Sequence, residues 1–84
     1  MEYFVYIIYN KVADKYYIGQ TYDLEKRISE HNSGVSKYTA KYSGGWKIVY
    51  NEKFSTRANA MRREKFLKNQ KNKNFYKRLA NLDP

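Results

Sequence analysis

Two side chains that could do chemistry stand where the sequence pattern predicts the apolar face of a helix. Arg27 and His31, the only histidine of the chain, lie one helical turn apart at the edge of an arc formed by Leu24 and Ile28. We expect this helix to face the strand that carries Tyr17. A charge beside a buried face is costly in free energy unless it is paired or hydrogen-bonded there. The position is unusual for such residues, so both are candidates for function. Capping of the helix end is the second interpretation of His31.

A carboxylate stands in a similar position on a later helix. Glu64 projects from the middle of a second apolar arc. That arc comprises Ala60, Met61 and Leu67. An isolated carboxylate directed at a core is unfavourable unless it is paired or bound to a metal. Two interpretations therefore stay open: a metal-binding carboxylate, or an ion pair with Arg27 or Arg63 at the rim of a small core.

The charge is concentrated in the second half of the chain. The formal net charge is +9, from 17 basic and 8 acidic residues. Residues 57–78 hold nine basic residues and one acid, whereas residues 1–53 hold eight and six. This asymmetry predicts a polyanionic partner, nucleic acid first and an acidic membrane surface second. A solvated, lysine-rich surface is the alternative.

Composition excludes several classes of protein. There is no cysteine, so neither a disulfide framework nor a thiolate metal site can form. No apolar run approaches the roughly 20 residues that a membrane-spanning helix needs, and the beginning of the sequence lacks a signal-peptide pattern. We therefore expect a cytoplasmic protein that forms one small domain over residues 1–84. Because nucleic acid is the first expectation for its partner, no membrane partner is expected.

Two strands and a helix are predicted in the first half of the chain. The apolar and aromatic run 3–9 predicts a central strand that is buried on both faces, and turn-forming residues join it in an antiparallel hairpin to a strand over 16–21. Gly19 lies inside the second strand, where it allows another backbone or a ligand to approach closely. The helix begins at Asp23 and ends shortly after His31.

The second half of the chain predicts one more strand and two more helices. Residues 36–42 fit either a short helix or an ordered loop, and the pattern does not decide between them. A strand follows over 46–54. Its predicted shared face consists of Trp46, Ile48 and Tyr50. Ser55 or Thr56 then caps a helix that runs to about residue 69, and a last short helix is expected over 75–82.

An ordered set of residues runs through both halves of the chain. Val5-Tyr6-Ile7 is followed by Tyr17-Ile18-Gly19, then by Arg27 and His31 in the next helix, and then by Glu64 on a later helix. This order resembles the GIY-YIG nuclease superfamily, with Val5 where the family label has glycine. The resemblance spans residues 3–68 and is closest to the short, single-domain bacterial members. Those members carry segments similar to Ser36-Lys-Tyr-Thr39 and Trp46-Lys-Ile-Val-Tyr50.

The resemblance implies a fold and a reaction. The fold is α+β: a small three-stranded antiparallel sheet flanked by helices, in β-β-α-β-α order with room for extra short helices. Members of the family cut phosphodiester bonds with one divalent metal ion, usually Mg²⁺, held by a single glutamate and otherwise by waters. Magnesium's preference for few carboxylates and a retained water shell suits such a site. A single Mg²⁺ or Mn²⁺ is therefore the expected cofactor.

The resemblance also assigns a role to each motif residue. Glu64 would bind the metal, and Tyr6 would orient or deprotonate the attacking water. Tyr17 would bind the scissile phosphate and shape the pocket. Arg27 would offset the charge that builds on the phosphate, and His31 would assist in proton transfer or contact the phosphate.

Departures from the family pattern and the basic second half complete the predictions. Gln20 stands where some members have a lysine. Some members also use an asparagine downstream of the glutamate, but here no asparagine downstream of Glu64 can be assigned to that position by spacing. The expected substrate is DNA, a repair or branched intermediate, and a protein partner would supply any sequence specificity. The alternative is a nucleic-acid-binding module that has the fold without useful activity. The residues expected to contact nucleic acid are Arg62, Arg63, Lys68, Lys71, Lys73, Lys77 and Arg78.

Overall fold

A three-stranded antiparallel sheet forms the centre of the protein. The computed structural model describes residues 1–37 and 39–81. Strand β1 spans Tyr3–Asn10, β2 spans Lys15–Thr21 and β3 spans Trp46–Phe54, in the order β2-β1-β3. The most apolar strand is therefore the central one, as its sequence predicts. Both of its neighbours are antiparallel to it, and Tyr6 on β1 lies opposite Gly19 on β2.

Helix boundaries follow capping residues. Helix α1 spans Leu24–Ser33, and the Asp23 side chain accepts a hydrogen bond from the Lys26 amide at its start. At its end Gly34 takes the left-handed conformation, with φ of 84°. Helix α2 spans Arg57–Gln70 with Thr56 as its N-cap. Helix α3 spans Lys73–Asn81, so it begins two residues earlier than predicted. The predicted end at Leu82 lies outside the described residues.

The helices cover both faces of the sheet. Alternate residues of β1 point to opposite faces, and Val5 and Ile7 pack with α2 and α3. Tyr6 and Ile8 pack on the other face, with Trp46 and the apolar side of α1. The connection to β3, left open between a helix and a loop, contains a 3₁₀ turn over Ala40–Tyr42. The architecture is α+β in β-β-α-β-α-α order, which confirms the predicted fold class.

One prediction about β3 is wrong. Ile7 lies opposite Tyr50, but the next residue of β1, Ile8, lies opposite Ile48. Val49 is thus an extra residue in β3, and a β-bulge of this kind reverses which face the following residues share. Trp46 and Ile48 pack on the α1 face, whereas Tyr50 packs on the face covered by α2 and α3. The three residues therefore do not share one face.

No helix in residues 1–37 and 39–81 is long and apolar enough to cross a membrane.

Candidate nucleolytic site

Tyr6 is a buried phenol that lies directly over a glycine. Only 2% of the Tyr6 surface is exposed to solvent, and its ring covers Gly19 of the neighbouring strand. A Cβ built on Gly19 would lie 2.5 Å from the Tyr6 hydroxyl and 2.7 Å from Cζ, closer than real Cβ atoms come. Gly19 therefore does allow a close approach, and what approaches is the side chain of the adjacent strand.

A buried hydrogen-bond chain leads inward from Tyr6. The Tyr6 hydroxyl lies 2.8 Å from Nε2 of His31, and Nδ1 of His31 lies 2.7 Å from Oγ1 of Thr39. His31 is fully buried, and its two ring nitrogens contact Tyr6 and Thr39 and not the carbonyl groups at the helix end, so the capping interpretation is wrong. Burial lowers the pKa of His31 to about 4, and the nearby Arg27 charge acts in the same direction. The imidazole is therefore neutral at physiological pH.

Tyr17 and Arg27 complete the cluster around Tyr6. The Tyr17 ring centroid lies 5.0 Å from that of His31. Nη1 of Arg27 donates to Glu30 at 2.8 Å, and Nη2 lies 3.5 Å from the hydroxyl of Ser36. The Arg27–Glu30 pair is about 30% exposed on both sides, so part of the guanidinium can be reached by an incoming oxyanion.

The electrostatics of Tyr6 reflect its neighbours. Burial raises the pKa of Tyr6 to about 12, and the Arg27 guanidinium acts to lower it. The Tyr17 phenol and the Glu64 carboxylate act to raise the pKa further. All four motif residues that surround the phenol therefore lie close enough to influence it, either through this electrostatic effect or through the hydrogen bond between Tyr6 and His31.

Glu64 lies at the edge of β2 and is paired. Its Oε1 accepts from the Gln20 amide at 3.0 Å, and its Oε2 lies 2.9 Å from Nζ of Lys68. The glutamate side chain is 18% exposed. Of the two interpretations of Glu64, the ion pair with Arg27 or Arg63 does not form. Met61, predicted to share its apolar arc, is 51% exposed, whereas Ala60 and Leu67 are buried, so Glu64 lies where the buried side of α2 meets solvent.

The Glu64 position suits a metal that takes few protein ligands. Its carboxylate is a hard oxygen donor at a partly solvated edge, which is what Mg²⁺ or Mn²⁺ would use together with retained waters. The described residues contain no cluster of three or more acidic, histidine or cysteine side chains that could hold an ion by themselves. The fit is therefore to a one-carboxylate site, with Lys68 as the cation that holds the carboxylate now.

The basic residues predicted to contact nucleic acid fall into two groups. Four are engaged within the protein: Arg62 with Asn59, Arg63 with Glu52, Lys68 with Glu64, and Lys73 with Asp14. The Arg63–Glu52 contact is bidentate, because Nε and Nη2 both donate to the carboxylate. The exposed remainder consists of Lys71, Lys77 and Arg78.

Sequence reasoning missed three residues that hold the site together. Thr39 contacts His31, Ser36 contacts Arg27, and Gln20 contacts Glu64. Ser36 and Thr39 are buried although they lie in a connection that the pattern left undecided. The segment that contains them was part of the family resemblance, but neither hydroxyl was given a role. Gln20 had been noted only for the positive charge that it lacks.

Comparison with known proteins adds a family to this geometry. Residues 2–78 match the model of the GIY-YIG catalytic domain. The UPF0213 protein lin0209 of Listeria innocua is 40% identical over 79 residues, covering 89% of this chain and 84% of the relative. The UPF0213 protein YazA of Bacillus subtilis is 34% identical over 65 residues, covering 77% of this chain and 65% of the relative.

A solved structure shows the same fold. The solution NMR structure of the UPF0213 protein BH0048 from Bacillus halodurans superposes with a TM-score of 0.59 at 32% sequence identity. The match covers 99% of this chain and 86% of that structure.

Proposed function

Because the chain belongs to the GIY-YIG family, a nuclease-type family, we propose that it hydrolyses phosphodiester bonds in nucleic acid, with DNA as the substrate. A branched or repair intermediate is the form of DNA we propose. The observation that carries the proposal is the buried pair of Tyr6 and His31, 2.8 Å apart, with the guanidinium of Arg27 beside it. A structural core has no need of a neutral histidine and an arginine around one phenol.

The residues of this chain divide the work as follows. Tyr6 first releases its own hydroxyl proton to solvent, and its oxygen then orients the attacking water and takes up the proton that the water loses as its oxygen bonds to phosphorus. The bond between phosphorus and the departing sugar oxygen breaks in the same step, and that oxygen takes a proton from solvent. Arg27 donates to the non-bridging phosphate oxygens as negative charge builds on them. Tyr17 contacts the phosphate through its hydroxyl, and its ring packs beside His31. His31 holds the Tyr6 oxygen in place.

Glu64 is the residue that would hold a divalent cation, Mg²⁺ or Mn²⁺. When bound, such an ion offsets negative charge on the phosphate and on the departing oxygen. Lys68 must leave the carboxylate for the ion to bind, which is feasible because an i,i+4 pair near the surface is worth only about 0.3–0.5 kcal/mol. The released ammonium is then free to contact a neighbouring phosphate.

The exposed cations of α3 and of the turn before it are proposed to contact the phosphate backbone. Lys71, Lys77 and Arg78 are exposed, and contacts of this kind position nucleic acid without reading its sequence. The cost of freeing Arg63 from its bidentate pair with Glu52 makes Arg63 the weakest candidate of the predicted set.

The experiment is cleavage of a matched panel of single-stranded, duplex and branched DNA, with RNA as the control, in Mg²⁺, Mn²⁺ and chelator. The protein should cut at least one DNA in the presence of metal and none in chelator. Tyr6→Phe and Glu64→Gln should remove cleavage. Lys65→Gln is the matched control on α2, because Lys65 lines the same surface pocket as Glu64 whereas the ion pair of Glu64 is made with Lys68. Cleavage that persists in Glu64→Gln or in chelator would contradict the proposal.

Melting temperatures separate a catalytic Glu64 from a structural one. Glu64→Gln removes one partly exposed ion pair, so in chelator it should change the free energy of unfolding by less than about 0.5 kcal/mol. Mg²⁺ should raise the melting temperature of the parent and not that of the variant, because a ligand stabilises only the state that binds it. A loss of about 2–3 kcal/mol in chelator would assign Glu64 to the scaffold.

The second candidate is a nucleic-acid-binding module of the same fold, and the Glu64–Lys68 pair is the observation that favours it. In that case the protein binds the nucleic acids of the panel without cutting them, and its affinity falls with salt concentration but does not require the metal ion. Substituting alanine for Lys71, Lys77 and Arg78 should weaken binding to every sequence about equally and flatten the fall of log affinity with log salt, by about 0.9 per lost phosphate contact on duplex DNA. An effect confined to one sequence would contradict backbone contact.

A further inference from the structure

Thr39 is held more firmly than an ordinary loop residue. Its amide donates to the Ser36 carbonyl at 3.3 Å. Its own carbonyl accepts from the Tyr42 amide at 3.1 Å and from the Trp46 indole at 3.3 Å. The residue is 0% exposed. Its hydroxyl therefore has a fixed position, and that position is 2.7 Å from Nδ1 of His31.

The chain of hydrogen bonds from Thr39 to Tyr6 can run in two directions. A neutral imidazole carries one N–H and one acceptor nitrogen. If Thr39 donates to Nδ1, the proton of His31 sits on Nε2 and is donated to the Tyr6 oxygen. If Tyr6 donates to Nε2, the proton sits on Nδ1, and the Thr39 hydroxyl accepts it and must place its own hydrogen elsewhere.

The two ends of the chain differ in what surrounds them. At the inner end, His31 is the only hydrogen-bond partner of the Thr39 hydroxyl among the described residues. A buried hydroxyl hydrogen without an acceptor costs about 1–3 kcal/mol. At the outer end, the Tyr6 oxygen faces Arg27, which can only donate. Tyr6 keeps 2% of its surface exposed whereas Thr39 keeps none, and the neighbouring Arg27 side chain is about 30% exposed. The first direction therefore places the hydrogen that lacks a protein acceptor at the outer end, nearer to solvent than the Thr39 hydroxyl.

We propose that Thr39 is a positioning residue: its hydroxyl donates to Nδ1 and thereby fixes His31 as the tautomer whose Nε2–H is donated to Tyr6. Tyr6 then receives hydrogen bonds from His31 and from the Arg27 side, both of which favour its phenolate. The phenol releases its own proton to solvent before its oxygen accepts the proton of the attacking water. The kinetic part of this proposal rests on the proposed nuclease function, whereas the tautomer does not.

The tautomer can be measured directly because the chain has a single histidine. In ¹⁵N-labelled protein without metal or DNA, long-range ¹H–¹⁵N correlation spectra distinguish a protonated ring nitrogen from an unprotonated one. We expect Nε2 to be protonated and Nδ1 to be an acceptor. A protonated Nδ1, or a mixture of the two tautomers, would overturn the proposal without any need for a variant.

Two variants test whether Thr39 is the cause. Thr39→Val keeps the shape and removes the hydroxyl, so the Nδ1 resonance should move downfield as its hydrogen bond is lost. Thr39→Ser keeps the hydroxyl and should retain the parent's spectrum. An Nδ1 shift that is unchanged in Thr39→Val overturns the proposal.

The kinetic readout uses the same pair of variants. Thr39→Val should lower kcat by about tenfold with little change in KM, because a displaced group loses alignment and not substrate binding. Thr39→Ser should restore most of that loss. For the parent, kcat should rise about tenfold per pH unit through the neutral range, as expected for a phenolate of high pKa. An unchanged kcat in Thr39→Val beside an active parent overturns the proposal, whereas a parent that never cuts refutes the nuclease function and leaves the tautomer measurement valid.

Discussion

Gly19→Ala tests whether the space over Gly19 is reserved for Tyr6. The new Cβ would lie 2.5 Å from the Tyr6 hydroxyl, and real Cβ atoms do not come closer than about 3.0 Å. Tyr6 must therefore retreat by about 0.5 Å, and it is a rigid ring that is 2% exposed. Any such movement disturbs the 2.8 Å contact between its hydroxyl and His31, so the substitution should damage both stability and the site.

The size of the effect follows from three contributions. Overpacking a core costs about 1–3 kcal/mol, and weakening the buried bond to His31 costs about 1 kcal/mol. Restricting the unfolded chain returns about 0.4–1 kcal/mol, as Gly-to-Ala changes do. The net loss is about 1–3.5 kcal/mol, which for a domain of this size lowers the melting temperature by about 4–28 °C.

The assay is urea unfolding followed by far-ultraviolet circular dichroism, in the parent background and in a Tyr6→Leu background. Leucine ends short of the atoms that the new Cβ meets, so Gly19→Ala should cost little once Tyr6 is gone. The cycle isolates the coupling between the two positions. An equal loss in both backgrounds would refute the reasoning, because the strain would then not involve Tyr6.

Three further predictions concern charge. Lys68→Met should tighten Mn²⁺ binding at Glu64 by about tenfold in titration calorimetry. The reason is that the ammonium and the divalent ion, a few ångströms apart, repel each other by about 1–2 kcal/mol even in water. Lys65→Met is the matched control, and equal Mn²⁺ affinities in the two variants would exclude competition by Lys68. Arg27→Lys should cut about 100-fold more slowly with DNA binding retained, because an ammonium cannot reproduce the guanidinium fork; a variant as fast as the parent would make Arg27 structural. Acidification from pH 6.5 to about 4 should destabilise the fold, because across that range histidine binds a proton in the unfolded chain but not when it is buried as His31 in the folded protein. The free energy of unfolding should fall by up to about 1.4 kcal/mol per pH unit. A His31→Gln variant whose free energy of unfolding falls equally with pH would contradict this.

Local patterns predicted the elements of this fold because each element follows from its own residues. The apolar run of β1 has no solvent-facing side, so it forms the central strand, and Asp23 and Thr56 each begin a helix with a side-chain cap. The face of Tyr50 was mispredicted because the extra residue, Val49, is set by pairing with β1 and leaves no mark on the alternation.

The site was predictable in part for a different reason. Tyr6 was assigned through the resemblance to the GIY-YIG superfamily, and His31 also through its place beside the apolar side of its helix, whereas their depth of burial depends on helices that pack from elsewhere in the chain. Thr39 is eight positions from His31, and Gln20 is 44 positions from Glu64, with no regular element linking either pair. Contacts of this kind are set by tertiary packing, so no periodicity could indicate them.

The single tryptophan gives this protein a natural optical probe. Trp46 is buried at 4% exposure on the α1 face of the sheet, and its indole donates to the Thr39 carbonyl. Its fluorescence therefore reports on the layer that contains Tyr6 and His31, while the layer formed by α2 and α3 contributes no tryptophan signal. Helix content measured by circular dichroism comes largely from α2 and α3. Noncoincident unfolding curves from the two signals would reveal a state in which the basic helices persist after the layer around the histidine has come apart.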